Sequence, residues 1–331
     1  METHRAWRCH HFGDYHEITL DTVPTPRPGP QEVLIDVAAC TVAFHEMLMV
    51  QGLYQLKPPL PFVPGSEACG VVLAVGSDVT RVQVGQRIMG AVRFGAHSER
   101  LLAAEDACFA LPAGFDEAQG AAFLTAYRTA WVALVPRGQL RPGEVLLVLG
   151  ASGGVGLAAV ELGKVLGATV IAAASTDEKL AAAAARGADH LINTSREKLR
   201  EAVKAFTAGR GADVIYDPVG GDLFDESTRC IAPFGRVLLI GFASGRIPNL
   251  PVNLALIKQF SVVGVRAGEY GRVDPAAGRA ADEALLALAH AGKLHPWIRA
   301  RLPFEALPRA FDTLAARGVV GRIVLETRRI A

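Results

Sequence analysis

The sequence predicts an α/β protein: a doubly wound parallel sheet joined to a second, β-rich domain. Three observations carry that expectation. Between about residues 144 and 266, short Val/Ile/Leu runs alternate with helical segments, and strands that are apolar on both faces belong in a parallel sheet covered by helices on both sides. From residue 1 to about 120 the punctuation is Pro and Gly, and the apolar runs are short with period-two character. The 331 residues, half of them hydrophobic, suffice for about two domains, each with its own core.

Taken in order, VLIDVAAC at 33–40, ACGVVLAVG at 68–76 and QRIMGAV at 86–92 read as strands separated by PTPRPGP, VPGSE and the turn around Gly85. The alternating region then runs EVLLVLG, a helix from Gly154 to about Leu166, TVIAAA, a helix over EKLAAAAAR and HLIN. It continues with a helix over REKLREAVKAF, then DVIYDPVG, a helix over DLFDESTRCIA, RVLLIGF and QFSVVGV. The small residues at 181–185 suit a helix packed close to the sheet. After residue 268 come a long helix over DEALLALAHAGKL, a strand around 297–303, a helix over FEALPRAFDTLAARG and the strand GRIVLE. These return to the style of the first half. The expected division is therefore 1–122 with 269–331 in one domain and 123–268 inserted as a nucleotide-binding unit.

Composition narrows the function classes. With 34 Lys and Arg against 33 Asp and Glu, the net charge of +1 gives no electrostatic footprint for nucleic acid or an anionic membrane. Cys9, Cys40, Cys69, Cys108 and Cys230 form no CxxC pair and no disulfide framework, which suits free thiols in a reducing cytoplasm. The N-terminal METHRAWRCHHFGDYHEITL lacks the apolar core of a signal peptide. Runs such as VLLVL fall far short of the roughly 20 residues that span a bilayer. A soluble cytoplasmic protein with a small ligand is expected, without nucleic-acid or membrane partners.

The first strand of the alternating region ends in Gly150-Ala151-Ser152-Gly153-Gly154-Val155-Gly156 and runs into an apolar helix. Read as Ala151-x-Gly153-x-x-Gly156, this is the Rossmann dinucleotide fingerprint with its first glycine replaced by alanine. Gly153 would let backbone approach a pyrophosphate, Gly156 would let helix and strand pack closely, and the helix N-terminus would supply amides and positive dipole. A phosphate loop of the ATPase kind would need Lys and then Ser or Thr after the last glycine, where this chain has Leu157-Ala158. An NAD site places Asp or Glu at the end of the second strand, whereas an NADP site supplies donors or cations. Here the strand runs out through Ala174, Ser175 and Thr176, with Lys179 one turn later, which favours NADP(H). Ser175 to Glu178 also reads as a capping box, with Ser175 as the cap, and Asp177 keeps an NAD ribose open as the alternative.

The segments PRPGPQEVLIDVAAC, VPGSEACGVVLAVG, VGQRIMG, ASGGVGLAAVELGKVLGATVIAAAS, DVIYDPVGG, RVLLIGFASG and GRIVLE together resemble the medium-chain dehydrogenase/reductase superfamily. More narrowly they resemble its zinc-independent quinone oxidoreductase branch, the zeta-crystallin-like reductases. The resemblance implies a Rossmann domain plus a GroES-like catalytic domain. The places of the catalytic zinc ligands correspond to Ala43, Ser66 and Ala121, none of which ligates zinc as the metal prefers. His45, Glu46 and Glu67 nearby read as polar structural residues, and no metal is expected. Without a Lewis acid to polarise an alcohol, hydride transfer to an already electrophilic quinone or α,β-unsaturated carbonyl is the implied reaction.

Carried over by position, the resemblance puts the pyrophosphate on Ser152, Gly153, Gly154, Val155 and Gly156. It puts the 2′-phosphate near Ser175, Lys179 and Arg317, with Asn193 and Thr194 at the place of a tyrosine that often stacks there. Val219, Gly241, Phe242 and Ala243 would line the riboses, Thr125 would open the helix facing the nicotinamide, and Val265 would close the sixth strand. Tyr54 matches a family tyrosine at the cleft mouth and is the candidate proton donor. Ala43 and Leu48 depart from the family's Asn and Tyr, which opens the question of the acceptor. An enoyl-thioester or haloacrylate reductase is the alternative enzyme, with Arg266, Arg272 and Arg279 as a basic patch. An NADPH-binding structural or RNA-binding protein is the alternative outside enzymes. Relatives dimerise through the last strand of the nucleotide-binding sheet, and QFSVVGV, apolar and without charges at its middle, suits a homodimer.

Overall fold

In the computed structural model, which describes residues 2–327, the chain divides into two compact units. One runs to Thr125 and resumes at Pro296; the other is Ala126–His295. The reason the second unit is a covered parallel sheet lies in its strands. Val145–Leu149 is VLLVL with every residue buried, and Thr169–Ala174 buries every residue after Thr169, so neither strand has a face to offer water. With His190–Asn193, Ala212–Asp217, Ile231–Leu239 and Ser261–Gly264 they form six parallel strands. Numbered in chain order, their spatial order is 3-2-1-4-5-6.

Helices Gly154–Val165, Asp177–Ala185, Leu199–Phe206 and Gly221–Ser227 connect the first five strands. Leu147, Ile171, Ile192, Leu199, Ile215 and Phe224 belong to one buried core. The strand order reverses between the first and fourth strands, and such a switch point leaves a crevice beyond the carboxyl ends of the strands, where ligands bind in sheets of this kind.

The first unit is built on a mostly antiparallel sheet centred on Glu32–Val42, which pairs with Glu67–Val75, Arg100–Ala104 and Arg322–Glu326. The last of these comes from the far end of the chain, with Val324 opposite Thr41. Ile298–Pro303 lies outside it in parallel. Arg87–Ala91 and Cys108–Ala110 extend the other side, and Thr3–Arg8 with Thr19–Pro24 makes a separate pair.

Several elements differ from the sequence reading, each for a local reason. The helix expected over DLFDESTRCIA stops at Ser227, because Ile231 and Ala232 are buried and open the fifth strand. The helix expected over REKLREAVKAF begins at Leu199. Ahead of it the chain turns around Asn193, whose carbonyl accepts from the amides of Arg196 and Glu197 at 3.1 and 2.9 Å, a role suited to Asn. The helix after the second strand is capped by Thr176, not Ser175: Thr176 Oγ1 accepts the Lys179 amide. The long C-terminal helix is Pro275–His290, opened by the Asp274 cap and by proline in its first turn, and it belongs to the second unit. Phe44–Val50, Val252–Lys258 and Ala267–Val273 are short helices that the apolar period did not mark.

Candidate active site

The glycines of the Gly-rich turn are there for different reasons. Gly150 leaves the first strand at φ +57°, where L side chains rarely go. Gly153 caps the following helix with φ −72° and ψ 167°, which any residue adopts, and its amide donates to Gly150 O at 3.1 Å. A Cβ on Gly156 would lie 2.3 Å from Gly150 O, whereas a Cβ on Gly153 would meet nothing nearer than that same oxygen at 3.6 Å. Internal packing thus demands glycine at 156 and not at 153. At 153 the bare backbone keeps the approach to the first-turn amides of Gly154, Val155 and Gly156 open, and those amides have no acceptor within their own helix. Their dipole favours an anion.

At the end of the second strand, Lys179 Nζ donates to Ser175 Oγ at 3.2 Å. Asp177, on the same first turn, is held by Arg196, whose Nη1 and Nη2 each lie 2.8 Å from one of its oxygens. Asn193 Nδ2 adds a third bond at 2.8 Å. Arg196, and after it Asn193, hold the Asp177 carboxyl below its ordinary range. Asn193 itself is buried, its Oδ1 accepting from the amide and hydroxyl of Ser195. The sequence reading missed Arg196; its signal is the Asn-Thr-Ser-Arg turn that follows the third strand.

Beyond the fourth and fifth strands, one carboxylate orders the loops. Asp217 is fully buried, and its Oδ1 accepts from the amides of Val219 and Gly220 at 2.8 and 2.9 Å. Its carbonyl accepts from Ile240, while Ala243 and Ser244 donate to Pro218 O and Val219 O. The segment bearing Gly241, Phe242 and Ala243 is thereby tied to the one bearing Val219. Burial pushes the Asp217 carboxyl up despite its two amide donors, and Oδ2 is buried without a partner. Val265 follows the sixth strand, its amide donating to Leu239 O at 3.0 Å. The Gly-rich turn, Ser175, Lys179, Asn193, Val219, Gly241, Phe242, Ala243 and Val265 all stand at the carboxyl ends of the six parallel strands.

The remaining candidates belong to the first unit. Tyr54 is half-buried against that unit's core, its ring centroid 5.6 Å from that of His45. Burial pushes the His45 imidazole down. The Thr125 amide donates to Glu67 Oε2 at 2.8 Å, and Glu67 Oε1 takes Arg322 and the Thr41 hydroxyl. Glu46 accepts from the Ala43 amide and from both the amide and the hydroxyl of Ser66. Burial alone would push the Glu46 carboxyl up, but His97, His45 and these hydrogen bonds bring it below its ordinary range. The positions corresponding to zinc ligands, Ala43, Ser66 and Ala121, are all buried. Among the described residues no three His, Cys, Asp or Glu side chains gather as a metal-binding group. Arg317 is exposed, at φ +54° just after the helix Leu307–Ala315.

Comparisons with known proteins cover both units. The alcohol dehydrogenase GroES-like domain family matches residues 29–136, and the zinc-binding dehydrogenase family matches residues 154–284. Quinone oxidoreductase-like protein 2 of Mus musculus is 38% identical over 313 residues, covering 94% of this chain and 89% of the relative. The quinone oxidoreductase of Pseudomonas aeruginosa is 37% identical over 302 residues, covering 90% and 92%. Among solved structures, the Escherichia coli quinone oxidoreductase complexed with NADPH superposes with a TM-score of 0.88 at 27% identity, over 97% of this chain and 99% of that one.

Proposed function

The chain belongs to the zinc-independent quinone oxidoreductase branch of the medium-chain dehydrogenase/reductase superfamily, and from that premise we propose that it transfers a hydride from NADPH to a quinone or an α,β-unsaturated carbonyl. The observation that carries the proposal is the Gly153 turn, a bare backbone in front of three helix amides where packing asks for no glycine. When bound, NADPH supplies the hydride; the chain supplies binding, orientation and a proton. In this reading Ser152, Gly153, Gly154, Val155 and Gly156 hold the pyrophosphate, and Ser175 and Lys179 take the 2′-phosphate. Asn193 stands beside the 2′-phosphate, Val219, Gly241, Phe242 and Ala243 line the adenosine and nicotinamide riboses, Val265 closes the sixth strand, and Thr125 faces the nicotinamide. The NADPH complex of the Escherichia coli quinone oxidoreductase supports the choice of cofactor.

Hydride addition to a quinone or enone leaves an oxyanion that needs one proton, which we assign to the Tyr54 hydroxyl. Ala43, Ser66 and Ala121 carry no side chain suited to zinc, so an acceptor that is electrophilic without metal activation fits this chain. The enoyl-thioester reading needs a basic patch. Glu269 lies 3.5 Å from Arg266 and 3.1 Å from Arg272, so its one carboxylate is shared between two of the three arginines and lowers the positive charge such a patch would offer. Five buried free thiols support a cytoplasmic location, and the edge of the parallel sheet supports a homodimer.

NADPH oxidation followed at steady state over a panel of quinones, enones, haloacrylates and enoyl thioesters tests the proposal. Turnover is expected on quinones or enones. Silence on both, with NADPH binding intact, overturns the acceptor class.

A further inference from the structure

We propose that the Asp177–Arg196 pair sets the choice between NADPH and NADH, an inference that rests on the dinucleotide reading above. An acidic side chain near the end of the second strand suits the ribose hydroxyls of NAD, and a cation there suits the 2′-phosphate of NADP. This chain carries both. Asp177 stands on the first turn after the second strand, and Arg196 stands in the turn after the third. Parallel pairing of the two strands sets Asn193 beside Ala174, which brings the two turns together.

The contacts fix the carboxylate and leave the guanidinium adaptable. Asn193 is buried, and its Oδ1 is committed to Ser195, so its Nδ2 holds Asp177 in place at 2.8 Å. Arg196 is 61% exposed and Asp177 66%, and an ion pair that open to water is worth little. It therefore rearranges at little cost. The guanidinium carries five N–H donors in a fork that suits phosphate, of which one from each Nη faces Asp177. A 2′-phosphate between Lys179 and Arg196 would meet two cations against the single carboxylate of Asp177, so the site stays net positive. Without Arg196 the same site presents an uncompensated carboxylate, which repels a phosphate and accepts from ribose hydroxyls.

Dissociation constants for NADPH and NADH, measured by fluorescence titration without an acceptor, decide the matter. Arg196→Ala is expected to weaken NADPH by about tenfold, the scale of a lost charge-assisted bond, and to leave NADH unchanged or tighter. Arg196→Lys restores part of the loss. Asp177→Asn is expected to weaken NADH and to leave NADPH equal or tighter. The NADPH preference of the wild type falls with salt, since the discriminating charges are exposed. If Arg196→Ala keeps the wild-type ratio of the two constants, or Asp177→Asn weakens both dinucleotides equally, the role of the pair is overturned while the cofactor assignment stands. If the wild type binds neither dinucleotide, the cofactor assignment itself falls.

Discussion

Gly153 and Gly156 stand three residues apart and answer to different constraints. A methyl at 156 would sit 2.3 Å from Gly150 O and 2.9 Å from Ala151 Cα, both backbone atoms, so strand and helix must part to admit it. A methyl at 153 has only one ordinary contact, at 3.6 Å. Gly156→Ala is therefore expected to destabilise the fold by about 1–3 kcal/mol, the usual cost of overpacking. Gly153→Val should cost about 1 kcal/mol of stability, the loss of a favoured N-cap residue, yet lose at least about tenfold in NADPH affinity, because its side chain covers the amides. Thermal denaturation and NADPH titration of the two variants check this together. A Gly153→Val protein that binds as tightly as the wild type would remove the turn from the cofactor site. At this scale the glycines were legible through their spacing. Arg196 was legible only through the Asn-Thr-Ser-Arg turn after the third strand, since a single exposed arginine does not by itself say which carboxylate it will meet.

The six parallel strands were legible because burial on both faces leaves continuous apolar runs, as in VLLVL and TVIAAA. Boundaries set by tertiary pairing were not. Ile231 and Ala232 continue a helical period in the sequence, yet Ile231 pairs with Ala212 of the fourth strand in the fold, and the Thr176 cap differs from Ser175 by one residue that both chemistries allow. The loops beyond the fourth and fifth strands depend on an acid that looks, in the sequence, like the unremarked end of DVIYD. Asp217 presents its carboxylate to two amides and buries an unpartnered oxygen, and burial raises its pKa. A raised value in the folded state means that its contribution to stability is fully present at pH below the unfolded value, about 4. That contribution is lost as pH rises through the folded value. Asp217→Asn keeps an acceptor for both amides and cannot ionise. Its stability relative to wild type should therefore increase as pH is raised from about 4 and level off once the native carboxyl is ionised. Denaturant unfolding at a series of pH values measures that difference, and a constant offset across the series would refute the assignment.

At the scale of the molecule, the sixth strand, Ser261–Gly264, is the open margin of the parallel sheet, paired only with the fifth among the described residues. Its SVVG carries none of the Lys or Pro guards that blunt exposed edges. The helix just before it, Val252–Lys258, has no fully buried residue, and of its apolar side chains only Leu254 and Ala255 rest half-buried against the unit's core. Val252 and Leu256, one turn apart, are each 78% exposed, and Ile247, Ile257 and Val273 are exposed in the same stretch. A seven-residue helix whose apolar hold on its own core is only Leu254 and Ala255 has little stability of its own, and apolar side chains gathered beside an open strand suit a surface that another chain covers. A second copy is the simplest cover. Two such edges related by a twofold axis pair in antiparallel fashion and close the assembly, with each copy burying the same patch. Light scattering should accordingly give twice the 35.0 kDa mass of the chain. Val262→Lys, which sets a charge on the margin without touching the core, should shift the mass toward that of a single chain while NADPH affinity is retained. A wild-type protein that scatters as a single chain at concentrations of tens of micromolar would leave this edge to a different partner.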